Sequence, residues 1–102
     1  MDGLIERALD VALRNWAAMT KPGEDAEGAA NAFEASFYRL IDAVREWVGG
    51  LEKPPRTMEE LLAMPTIAEL LDRLPAPLHL NFETEAELIL DGVIREEEDK
   101  YD

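Results

Sequence analysis

The sequence predicts an all-α fold: a compact helical bundle of two long helices, two short helices and a C-terminal helix. Three observations predict it. Apolar residues recur at spacings of three and four along two long stretches in the first half. Prolines at 54, 55, 65, 75 and 77 divide the second half into short pieces. Three Thr-x-x-Glu sites in that half have the form of capping boxes, in which a threonine oxygen and a glutamate satisfy each other's helix-start amides. The alternative is an α+β fold with a small C-terminal hairpin. A chain of 102 residues suits one domain, 1–102, with 96–102 expected to fray as an acidic tail.

In the first helix, Asp2 to Thr20, Ile5, Leu9, Ala12, Leu13 and Trp16 share one side, and Glu6, Arg7, Asp10 and Arg14 the other. Asp10 and Arg14 are spaced to form an i,i+4 pair. Thr20-Lys21-Pro22-Gly23 supplies turn chemistry. The second helix runs from about Glu24 to Val48, with Glu24, Asp25 and Glu27 at the positive end of its dipole and Gly49-Gly50 at its close. Along it Ala26, Ala30, Phe33, Phe37, Leu40, Val44 and Trp47 form an unbroken heptad seam. Ala29, Ser36 and Ala43 line one flank, where small side chains let a neighbouring helix come close.

Pro54-Pro55 makes a stiff connection. Beyond it, Thr57 with Glu60 and Thr66 with Glu69 predict short helices over Met58 to Met64 and Ile67 to Leu74, stopped by Pro65 and Pro75. Leu78, Leu80 and Phe82 alternate with His79 and Asn81, which predicts an extended segment with an exposed histidine. Thr84 with Glu87 then predicts a last helix from Glu85 to about Asp99, in which Ala86, Ile89, Leu90, Val93 and Ile94 share a face. Asp91-Gly92 between apolar pairs is the competing hairpin signal.

Composition narrows the function classes. Ten Lys and Arg against 23 Asp and Glu give a net charge of −13, which opposes direct nucleic-acid binding. The absence of cysteine removes disulfides and thiol chemistry and suits a reducing compartment. With Asp2 and Glu6 in the first residues and no long apolar run, the chain reads as a cytoplasmic protein without a membrane segment. The lack of Cys and Gln beside many ion-pairing residues resembles thermophile composition.

Chemistry has little to work with. Ser36 is the one serine, on the small flank of the second helix, and His79 the one imidazole, so no catalytic residue is assigned and the chain is expected not to be an enzyme. A small enzyme using His79 with Asp72 or Glu83 is the outlying alternative. No metal or cofactor is expected: zinc lacks ligands, the residue three before His79 is Ala76 rather than the Glu of a di-iron motif, and Glu59-Glu60 and Glu96 to Asp99 lack calcium-loop spacing. No glycine series cradles a phosphate.

What remains is protein interaction. The second helix, roughly 36 Å long at 1.5 Å per residue, either packs internally or pairs with a copy of itself. The leading expectation is a non-enzymatic helical interaction or regulatory module, a homo-oligomer (dimer or tetramer) or the partner of another protein. Phe33, Phe37, Leu40, Val44 and Trp47 would form the contact, with Arg39 and Arg45 at its rim. The alternative is an acidic inhibitor or nucleic-acid mimic for a basic partner, using the stretch from 83 onward, which carries −7 of the −13.

Overall fold

A computed structural model describes residues 2–20 and 26–100, with 26 and 96–100 as backbone only. The turn expected at Lys21 to Gly23, the acidic start at Glu24 and Asp25, and Tyr101 lie outside the described residues, as do the side chains of the acidic tail from 96. Over the described residues the fold is all-α, with no strand: α1 (Gly3–Thr20), α2 (Ala26–Gly49), α3 (Met58–Ala63), α4 (Pro65–Arg73), a 3₁₀ turn (Ala76–Leu78) and α5 (His79–Lys100).

Asp2 starts α1, its Oδ2 accepting the amides of Leu4 and Ile5 at 3.1 and 3.2 Å. Ile5, Leu9 and Ala12 follow as its buried stripe. The expected Asp10–Arg14 pair does not form. Asp10 instead accepts from Arg73 at 2.7 Å, because α4 ends beside α1 and offers a guanidinium across the helices. Both groups stay substantially in water, so the pair orients α4 more than it stabilises it. In α2 the middle of the heptad seam becomes core: Phe37, Leu40 and Val44 are buried together with Ile41 and Val48 beside them, while Phe33 and Trp47 stay half-buried.

Two prolines set the breaks that follow, through the residue before each. A proline pushes its predecessor out of the helical region, and Met64 (ψ 131°) and Leu74 (ψ 134°) are both extended. Met64 thereby ends α3 and starts α4 at once, with Pro65 as the first helical residue. The Thr57 box forms: Thr57 Oγ1 accepts the Glu60 amide at 3.1 Å, while the Glu60 carboxylate reaches one residue further back, to the Arg56 amide at 2.8 Å. The Thr66 box does not, since Pro65 starts the helix earlier and leaves Thr66 inside its first turn.

The largest departure is at α5. Residues 78–82 are not extended: Leu78 closes the 3₁₀ turn and the helix runs unbroken from His79 to Lys100. Leu78, Phe82, Ala86, Ile89 and Val93 are the buried stripe, whereas Leu80 is 71% exposed. Thr84 is no cap; its Oγ1 donates to the Leu80 carbonyl one turn back, at 3.0 Å. Helix rather than hairpin thus forms through Asp91-Gly92. Gly92 has open space where a Cβ would stand. Gly92→Ala is expected to stabilise the protein by about 0.8–1 kcal/mol through helix propensity, read as a rise in the urea midpoint; a hairpin at this position would lose stability instead.

The buried stripes of α1, α2 and α5 meet Leu61 of α3, Ile67 and Leu70 of α4 and Leu74 just beyond it in one core. Among the described residues no buried side-chain polar atom lacks a partner. The body measures 54 × 25 × 22 Å with a radius of gyration of 15.0 Å, longer than the roughly 13 Å of a rounder chain this size. An elongated bundle covers each helix on fewer sides.

Candidate interaction surface

α1 and α2 lie antiparallel. Leu4 shares a groove with Ala43 and Trp47, Val11 with Ser36 and Arg39, and Asn15 bonds Ala32 and Ser36, so positions rise on one helix as they fall on the other. The close approach uses the small flank of α2, as the sequence predicts. Ser36 is buried there, its hydroxyl donating to the Phe33 carbonyl at 2.8 Å and accepting from Asn15 Nδ2 at 3.0 Å. Trp16 meets Phe33 edge-on, with ring centroids 5.3 Å apart.

One side of this pair is open. On α1, Leu4, Arg7, Val11 and Arg14 follow each other at spacings of three and four and are all exposed, Leu4 to 57% and Val11 to 39%. On α2, Ala32, Ala35, Arg39, Asp42 and Glu46 make the facing exposed row, with Asp42 turned to Arg45. Between them a groove of about 220 Å³ is lined by Arg7, Ala8, Val11, Ser36 and Arg39, with no carboxylate. Asp2 and Glu46 appear only at the next groove along, beside Leu4 and Trp47. Among the described residues Arg7, Arg14 and Arg39 make no hydrogen bond or ion pair, although the chain holds 23 acids. Asp10, one turn from both Arg7 and Arg14 on α1, is taken up by Arg73 of α4 instead.

The residues expected to form a contact are placed differently from that expectation. Phe37, Leu40 and Val44 are inside the chain's own core, and Phe33 and Trp47 are half-buried against it. The seam is therefore consumed by intramolecular packing, and what it leaves open is its flank. Arg45 pairs with Asp42 of its own helix at 2.6 Å, whereas Arg39 faces the groove. Of the unpaired arginines the sequence places only Arg39 at the edge of an interaction surface, and the small flank of α2 is the one signal for the groove beside it.

His79 is half-buried rather than exposed. Its Nε2 lies 2.9 Å from both the Leu71 and Leu74 carbonyls and, since both partners are acceptors, carries the hydrogen. It closes the end of α4, where the last carbonyls have no helical donor, and hydrogen-bonds neither Asp72 nor Glu83. Among the described residues no group of three or more His, Cys, Asp or Glu converges to hold a metal, and no helix is long and apolar enough to cross a membrane. No protein family, curated protein or solved structure matches the chain.

Proposed function

We propose that this chain is a non-enzymatic helical interaction module that acts by associating through exposed helix faces, with a second copy as its partner. The observation that carries the reading is the α1–α2 surface: exposed Val11 in a groove with Ala8 and Ser36, exposed Leu4 in the next groove along, and arginines without ion-pair partners among the described residues of a strongly acidic chain. Water gains little from such a face, and an incoming helix gains both apolar burial and charge pairing. The engagement of His79 in holding α4 favours this reading over the outlying enzymatic one.

Solution mass by light scattering across a hundredfold concentration range, at low and high salt, tests it. A dimer or tetramer mass that persists in high salt is the expected result. A concentration-independent monomer would sink the reading.

A further inference from the structure

α5 carries the other unpartnered face. Leu80, Thr84 and Leu88 stand one above the other at i, i+4 and i+8, with Leu80 71% and Leu88 57% exposed. The Thr84 hydroxyl is turned back to the Leu80 carbonyl, so this stripe is less polar than its composition implies. Glu87 and Asp91, four residues apart and exposed, flank it as an acidic edge, and Arg95 follows one turn later. None of these three charged side chains has an ion pair or hydrogen bond among the described residues.

The two faces are complementary in charge order as well as in apolar character. Along α2 the exposed row from Arg39 to Glu46 spans seven residues or about 10.5 Å; along α5 the charged edge from Glu87 to Arg95 spans eight residues or about 12 Å. Setting Arg95 against Glu46 puts Glu87 level with Arg39 and Asp91 level with Arg7 across the groove, while Asp42 at that height on α2 is held by Arg45. Leu88 then descends toward Val11, and Leu80 toward the end of the groove near Ala32. Ala8 of α1, and Ser36 with the exposed Ala32 and Ala35 of α2, give the incoming leucines room.

We infer that the α1–α2 groove of one molecule receives the Leu80/Thr84/Leu88 face of α5 from a second copy, with Arg7 and Arg39 pairing to the partner copy's Glu87 and Asp91. This rests on the self-association proposed above and assigns its surfaces. Reciprocal docking fills both grooves and closes a dimer; one-way docking leaves a free groove and a free α5 face, and grows with concentration.

The test is a charge exchange read by light scattering. R7E/R39E and E87R/D91R are each expected to weaken association about tenfold or more, since each sets like charges against one another. An equimolar mixture of the two variants is expected to regain the wild-type mass, because each supplies the face the other matches. All four positions are exposed, and circular dichroism checks that the helices survive. If either double variant loses helicity, R7Q/R39Q and E87Q/D91N replace the pair, each expected to weaken association less than the reversals. Wild-type association unaffected by the variants, or variants whose mixture stays dissociated, would overturn the assigned surfaces and leave self-association standing. A monomeric wild-type would remove both.

Discussion

Leu40→Asp is expected to abolish cooperative folding at 25 °C. Leu40 has no exposed surface and sits in the middle of the α2 seam, in the one core that all the helices share. Its replacement removes the burial of a leucine, about 1.5–3 kcal/mol, and places a carboxylate where no donor reaches it. The effective penalty for an unpaired buried ion is several kcal/mol more. Together these rival the roughly 5–15 kcal/mol that holds a domain of this size together. Loss of the sigmoidal urea transition and of most helical dichroism is the expected measurement. Arg39→Asp, one residue earlier and exposed, keeps both. Were the seam an open docking face, Leu40→Asp would fold normally and lose only its partner, so a wild-type transition in this variant would refute the burial of the seam.

The same residues show what the sequence makes legible. The heptad spacing of Phe33 to Trp47 announces an apolar stripe, and the small flank at Ala29, Ser36 and Ala43 announces which side a neighbour approaches; both hold in the structure. Spacing alone does not tell whether such a stripe meets the chain itself or a copy, because the two burials need the same side chains. The groove was out of reach for a related reason. Arg7 and Arg39 are 32 positions apart, and their meeting depends on α1 running antiparallel to α2 at one particular register. At α5 the sequence pattern misleads. Leu78, Leu80 and Phe82 satisfy a period of two, but Leu78, Phe82 and Ala86 also satisfy a period of four, and Pro75 and Pro77 favour a helix start just ahead of them. Thr84 with Glu87 matches a capping box in letters only, since a threonine inside a helix has a carbonyl four residues back to bond instead.

That ambiguity has a measurable resolution at Leu80 and Phe82. In a strand the two share a face and contribute alike; in α5 they point nearly opposite ways, Phe82 fully buried and Leu80 mostly in water. Phe82→Ala is therefore expected to cost about 3–5 kcal/mol, the transfer of a ring plus the cavity it leaves, seen as a large drop in the urea midpoint at an unchanged slope. Leu80→Ala is expected to stay within about 0.5 kcal/mol. Equal losses at both positions would contradict the helix. The contrast also bears on association. A leucine whose removal leaves stability untouched is not serving the core, and its exposed surface is free to be buried by something else. If Leu80→Ala lowers the solution mass while leaving the urea midpoint in place, the contact it makes lies between molecules; if Phe82→Ala lowers the mass, it does so by unfolding the helix that presents Leu80.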